Sequence, residues 1–380
     1  MIKVLHYINK IKQDDLRTDV VLTLVSALRQ GADVTVVTED DDLDKVLEEQ
    51  KPDIVHIHNC WSMKAYRAAL KAEKAGVATI LSPHWDMEPY AWHHEHCITK
   101  GIKSMLYQYK MLHRVEAMEV TSEAEKDHLL QLGWNKRVGI IPSGVLDSTV
   151  TAEQEGQTAV ALYKKVIDTR YSLLMPKAER EAFYVLVRAG AMRLNAFDKI
   201  DDKELLTLRE LTPPQWRRLL LLADDEDVRP LVDSAIARLQ LKAPQINTQE
   251  IDRFTPYHPK AKGVLRSDVY IGKAKSPLTR LKHITDNEPV IKSLVLMTLN
   301  AHYLMKHKKL SMRHVTELYQ HIKYDEYDED RYHEVMRGMG LDRFSRSMLQ
   351  VLVDVMRLSE GFLPDKPKKG LTAKKIRKLL

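Results

Sequence analysis

Apolar and polar positions change their spacing about a third of the way along the chain. Lys3-Val4-Leu5-His6-Tyr7-Ile8 is a short apolar run of strand length, and Val21, Leu24, Val25 and Leu28 then recur on one helical face until Gly31. β-Branched Val34-Thr35-Val36-Val37 predicts a second strand, and Asp53-Ile54-Val55-His56-Ile57-His58 a third after the stop at Pro52. Between them, Glu39 to Asp44 opens a short helix carrying Leu43, Val46 and Leu47. A helix from about Ser62 to Ala75 ends at Gly76, and Val77 to Leu81 is strand again. Ala117 to Val120 predicts another strand. Ser122 and Glu125 have capping-box spacing, so a helix should run to about Leu132, with Gly133 ending it. Arg137 to Ile141 closes the set.

Strands and helices alternating in this way imply right-handed crossovers and a parallel sheet covered on both faces. Ligands of such folds bind beyond the carboxyl ends of the strands. That places Asn9 to Arg17, Thr38 to Asp40, His58 to Ser62, Ser82 to Trp92 and Thr121-Ser122 around one rim.

Beyond Ser148 the period of 3.6 dominates. Helical runs are expected at Ala159 to Leu174, Lys177 to Arg193, Pro214 to Ala223, Val228 to Leu241, Val290 to Lys306, Met312 to Tyr324 and Phe344 to Leu358. Only Val264 and Val269-Tyr270-Ile271 read as extended, and Arg253 to Lys275 reads as a connecting loop. The expected fold is α/β: a Rossmann-like parallel-sheet domain over 1–150, a mainly α-helical domain over 151–365 and a basic tail over 366–380.

Composition narrows the class. With 44% hydrophobic and 29% charged residues among 380, the chain has the balance of a folded globular protein. No apolar run approaches the ~20 residues that cross a bilayer, and Met1 to Ile8, broken by His6, does not read as a signal peptide. Cys60 and Cys97 form no disulfide pattern, which suits a reducing cytoplasm. The net charge of +6 is modest, but Lys366, Lys368, Lys369, Lys374, Lys375, Arg377 and Lys378 crowd the end. That short amphipathic tail suits peripheral contact with the anionic inner face of a membrane. No recurring basic and aromatic pattern supports nucleic-acid binding.

Leu81-Ser82-Pro83-His84 with Glu88-Pro89, the preceding Asp53 to His58, Thr121-Ser122-Glu123-Ala124-Glu125 and Ile140-Ile141-Pro142-Ser143-Gly144-Val145 occur in an order that resembles the N-terminal domain of family-four glycosyltransferases of the GT-B type. The resemblance covers Met1 to about Asp147. It implies hexose transfer from a nucleotide sugar to a glycan or lipid-linked acceptor in polysaccharide biosynthesis, with no cofactor and no obligatory metal. It implies that His84 lies near the transferred sugar, with Glu88 beside it, and that His58, Trp85, Tyr90 and Ser122 bind substrate. An imidazole suits this place because its ordinary pKa, about 6.5, lets it donate or accept near neutrality. His93-His94-Glu95-His96-Cys97 carries metal-ligand types, but only His93 with His96 or Cys97 share a helical face, and two ligands do not close a site.

Two departures set a competing expectation. The family's Gly-Gly turn is absent after the first strand, where Asn9 to Arg17 contains no glycine. The family's second nucleotide-binding domain has no counterpart in the helical half; Glu326 with Glu334, and Glu360-Gly361-Phe362, match its motif only in fragments. The alternative is therefore a non-catalytic module that keeps the acceptor cleft and uses its helices to hold a protein partner.

Overall fold

The computed structural model describes residues 1–88, 97–193, 200–256, 259–264 and 288–380. Tyr90, Trp92, the His93 to His96 run and Val269-Tyr270-Ile271 lie outside the described residues. The chain divides into two compact units, Met1–Leu174 with Gln249–Thr255, and Met175–Thr248 with Pro256–Leu380.

The first unit carries the expected parallel sheet, and it also holds residues 151–174 and 249–255, which the sequence pattern assigns to the helical domain. Strands β1 (Ile2–Tyr7), β2 (Ala32–Val37), β3 (Ile54–Ile57), β4 (Ala78–Leu81), β5 (Ala117–Val120) and β6 (Val138–Ile140) form one parallel sheet in the order β2-β1-β3-β4-β5-β6. Helices α1 (Leu16–Leu28), α2 (Leu43–Gln50), α3 (Met63–Lys74), α4 (Cys97–Lys103), α5 (Tyr109–Arg114), α6 (Glu123–Leu132) and α7 (Ala152–Thr169) connect or cover the strands, with a π-helical turn at Ser104–Gln108 joining α4 to α5. Because side chains alternate along a strand, each strand serves two cores. Leu5, Val55, Leu81 and Met118 pack on the face with Leu47, Ala69 and Met111. Val4, Ile54, Ala78 and Ala117 pack on the other with Leu24, Leu28, Ala159 and Tyr163. Here α7 lies so close to α1 that a Cβ on Gly156 would stand 2.6 Å from the Ala27 carbonyl oxygen.

Sequence order reverses at β1, which has β2 on one side and β3 on the other. A crevice opens at such a switch, where the two loops leaving the strands turn in opposite directions. The loops here are tied down. Asp15 caps α1 by accepting from the Thr18 amide at 3.0 Å. Ser62 caps α3 at the Ala65 amide and also accepts from Asn9 Nδ2 at 2.8 Å. Ser62→Ala removes both bonds and should lower the stability of this unit by about 2 kcal/mol, read as a shifted urea midpoint.

The second unit is helical throughout its described residues: α8 (Lys177–Ala191), α9 (Asp202–Arg209), α10 (Pro213–Asp225), α11 (Arg229–Arg238), α12 (Pro289–Lys306), α13 (Met312–Tyr324), α14 (Glu329–Gly338), α15 (Asp342–Met356) and α16 (Leu371–Leu379). The expected helical runs from Lys177 onward are present within a few residues, and the polar α9 and α14 are additions; the run expected at Ala159 to Leu174 is α7 of the first unit, which starts at Ala152. Buried Trp216, Phe183, Tyr319 and Tyr332 fill the interior. Glu226 is buried too; it accepts from the Met312 amide at 2.7 Å and faces Lys260 at 3.1 Å, so a lysine and a helix N-terminus neutralise it. The basic tail does not end free. Its α16 buries Ala373 and Ile376, with Leu380 also buried, and Arg377 reaches Asp354 at 3.3 Å.

Candidate active site

A polar layer crosses the sheet at the carboxyl ends of its strands. His6 and His56 are register partners, one pleat beyond Val4 and Ile54 on the same face. Ser82, just past β4, and Glu119 in β5 extend the layer, and Tyr163 reaches it from α7. All five are buried to 4% exposure or less. A buried polar group must find a partner, and these find one another.

His56 Nδ1 lies 2.8 Å from the Tyr163 hydroxyl and Nε2 lies 2.6 Å from Ser82 Oγ, while Ser82 donates to Glu119. Ser82 has one proton and gives it to the carboxyl, so its oxygen accepts from His56 Nε2–H. Nδ1 of His56 is then the lone pair that accepts from Tyr163. Burial pushes Glu119 up to about 8 and His56 well below its ordinary value. The two stand 3.9 Å apart, yet both are neutral at pH 7, so they form no ion pair.

A second row of buried histidines runs from His6 to His84. His6 Nδ1 meets His58 Nε2 at 2.7 Å, and His58 Nδ1 meets His84 Nε2 at 3.2 Å. The rings of His6 and His58 are stacked with centroids 5.0 Å apart, and those of His58 and His84 at 5.4 Å. His6 Nε2 is buried with no hydrogen-bond partner among the described residues. An unpaired lone pair is tolerated there better than an unpaired N–H. The proton therefore sits on Nδ1 of His6, His58 donates onward through its own Nδ1–H, and His84 is left with its proton on Nδ1. The row has a direction, and it ends in a donor at His84.

His84 is held in a left-handed conformation, φ 47°, and Trp85 follows at φ 64°. Non-glycine residues occupy this region at a cost, which surrounding bonds must offset. Glu125 supplies one of them, accepting from the Trp85 amide at 3.1 Å and from the Thr121 amide at the same distance. Arg17 supplies another by gripping Asp86 with two bonds of 2.6 and 2.8 Å, so the loop after β1 and the loop after β4 move as one. Desolvation, with the Arg17 charge second, lowers His84 to about 4. The imidazole is thus neutral at pH 7 and offers an N–H rather than a positive charge, which the unperturbed value does not convey.

The cleft at the switch point encloses about 650 Å³ and is lined by Asn9, Lys10, Lys12, Asp15, Arg17, Glu39 and His58, among others. Lys10 and Lys64 both reach Glu39, at 3.4 and 3.2 Å, so part of its positive charge is already answered. Of the residues singled out from sequence, His58, His84 and Trp85 come together, the His84 and Trp85 rings 5.9 Å apart. Glu88 instead pairs with His128 of α6 at 2.6 Å. Ser122 is exposed and spends its hydroxyl on the cap of α6. His6, Ser82, Glu119 and Tyr163 were not selected. Glu119 carried a usable signal, a lone acid inside a four-residue strand that is buried throughout.

Ligand nitrogens of His6, His56 and His58 lie within 4.8 Å of one another, a spacing that raises the question of a metal. Two nitrogens bound to one zinc ion stand about 3.3 Å apart, from Zn–N bonds of about 2.0 Å. His6 and His58 meet at 2.7 Å, and both nitrogens of His56 are engaged. Hydrogen bonding accounts for the cluster.

Residues 37–148 match the Glycosyltransferase Family 4 model. The match begins at the last residue of β2 and ends past β6, so it takes in β3, the His84 turn and Glu119 but leaves out β1 and its glycine-free loop. No curated protein and no solved structure matches the chain. The first unit thus contains a glycosyltransferase-like segment on a Rossmann-like sheet.

Proposed function

We propose that the protein is a hexosyltransferase of glycan or polysaccharide synthesis, taking a nucleotide sugar as donor and a glycan or lipid-linked acceptor. The observation that carries this reading is the directional row His6–His58–His84, which delivers an oriented N–H to the carboxyl-end rim. A neutral donor there hydrogen-bonds a sugar hydroxyl or the oxygen on which charge develops, and its fixed direction spares reorganisation during reaction. Lys12 in the cleft suits the anionic part of a donor, Arg17 and Lys10 being held by Asp86 and Glu39, with Trp85 offering a face to a sugar ring.

One observation favours the alternative, a binding module without catalysis. Among the described residues after Thr151 there is no strand, and so no second sheet to hold the nucleotide. Calorimetry with nucleotide sugars, followed by a transfer assay, separates the readings. Under the first, His84→Asn, which tolerates the left-handed backbone, should weaken donor binding about tenfold and slow transfer by about a hundredfold or more. Absence of binding to any donor, with retained binding of an acceptor glycan, would establish the second.

A further inference from the structure

The segment Cys97 to Arg114 is apolar on two opposite sides. One side is core: Tyr107, Gln108, Met111 and Leu112 are buried, Tyr107 donates to the Trp61 carbonyl at 2.7 Å, and Gln108 accepts from the Trp61 amide at 2.8 Å. The other side is open. Ile98 is 77% exposed, Ile102 56%, Met105 83%, Leu106 58% and Tyr109 47%. Ile98 and Ile102 stand one turn apart in α4, and Met105, Leu106 and Tyr109 continue the exposed apolar row across the π-helical turn. Scattered apolar residues on a surface need no explanation, but a contiguous row of large ones does.

Charge decides what covers it. From Cys97 to Val115 there is no Asp or Glu, while Lys103, Lys110, His113 and Arg114 are exposed beside the stripe. Arg114 is held by Glu73 of α3, which leaves Lys103 and Lys110 beside the stripe; an apolar face with such bases along it matches the boundary between acyl chains and anionic headgroups. Among the described residues no helix is long and apolar enough to cross a membrane, so the fit is to a helix lying on the surface. The C-terminal helix is a poorer inserting element, since its Ala373 and Ile376 are already buried.

We infer that the α4–α5 stripe docks the protein on an anionic lipid bilayer, with Ile98, Ile102, Met105, Leu106 and Tyr109 entering the interface and Lys103 and Lys110 meeting headgroups. Lys100 of α4 lies over the Trp61 ring at 6.0 Å and Tyr107 holds the Trp61 carbonyl, so the docked face begins beside the loop after β3, on the rim of the sheet where the candidate site lies. The inference stands apart from the sugar-binding reading and fails separately from it.

The test is flotation of the full chain with vesicles of phosphatidylcholine alone and of phosphatidylcholine mixed with phosphatidylglycerol. Binding is expected only to the mixed vesicles and to fall with added salt. Met105→Ser with Leu106→Ser, and separately Lys103→Glu with Lys110→Glu, should each weaken it about tenfold or more. All four positions are exposed, so the variants should fold, and an unchanged circular dichroism spectrum checks this. Lys374→Glu with Lys375→Glu serves as the comparison. The inference is overturned if the wild type ignores both vesicles, if binding is lost only in the tail variant, or if Met105→Ser with Leu106→Ser instead abolishes a dimer.

Discussion

The first unit should be most stable near pH 6.5 and lose stability on both sides, more steeply in acid. His6 titrates at about 3 and His84 at about 4 in the folded chain, each pushed down first by burial. In the unfolded chain both return to about 6.5. Below that value the unfolded state takes up protons that the folded state refuses, so each histidine costs about 1.4 kcal/mol per pH unit until its folded value is reached. His56 and His58, also lowered by burial, act in the same direction. Glu119 opposes them. Its folded value is raised to about 8, so its contribution is complete below the ordinary carboxylate range and is lost as pH rises toward 8, again at about 1.4 kcal/mol per unit. Between pH 6.5 and 4.5 the two numbered histidines outweigh Glu119, and these three groups together give a net loss of about 1.4 kcal/mol per unit; Glu116, Glu125 and Glu155, also raised by burial, act with Glu119. Urea midpoints across this range measure it. Glu119→Gln should flatten the alkaline limb and steepen the acid limb to about 2.8 kcal/mol per unit, because the opposing contribution is gone; an alkaline limb that survives the substitution would remove Glu119 from the account.

Gly190→Ala should be the most damaging methyl group that can be added to the second unit. Gly190 lies in α8 against α11, and a Cβ there would fall well inside contact distance of the Leu231 carbonyl oxygen, with Leu231 C and Cα directly behind. The obstacle is backbone on both sides, so no rotamer change relieves it and the two helices must separate. Overpacking a core costs about 1–3 kcal/mol, and the upper end, about 3 kcal/mol, is expected here because a carbonyl is also pushed. Gly338→Ala in α14 is the control: nothing lies within 4 Å of its added Cβ, so it should be neutral or stabilise by up to ~1 kcal/mol. Thermal unfolding of both variants checks the contrast, and a Gly190→Ala loss below about 0.5 kcal/mol would mean that the helices are not so closely packed.

Much of the sheet domain was legible because its signals are local. Short apolar runs of strand length, β-branched in β2 and β3, marked the six strands, and Ser62 and Ser122 occupy the N-caps that their side chains suggest. The capping box at Ser122 is only half made: Ser122 accepts from the Glu125 amide, but the Glu125 carboxylate turns to Thr121 and Trp85. The missed elements are those whose pattern misleads. The Cys97 to Arg114 helix has no polar face to set a period, and the π-helical turn at Ser104–Gln108 shifts what period there is. α9 and α14 are short and mostly charged, each resting on few buried residues. At the site, His56 and His58 could be seen to share a side, since alternation is visible within one strand. Partners for them could not, because His6 and His58 are 52 residues apart and His56 and Tyr163 are 107 apart. Pairing across a sheet follows from strand order, which no single segment records.

Strand order has one more consequence. The crevice exists because β2 and β3 lie on opposite sides of β1, and that arrangement rests on buried residues such as Leu5, Val55 and Ile57 rather than on anything that lines the opening. Location and lining are therefore separable properties. A chain of this topology keeps a place for a ligand even while the loop from Asn9 to Arg17 changes its chemistry, since that loop is fastened at its ends by Ser62 and Asp86. Specificity can drift through that loop alone, with the sheet beneath it left intact.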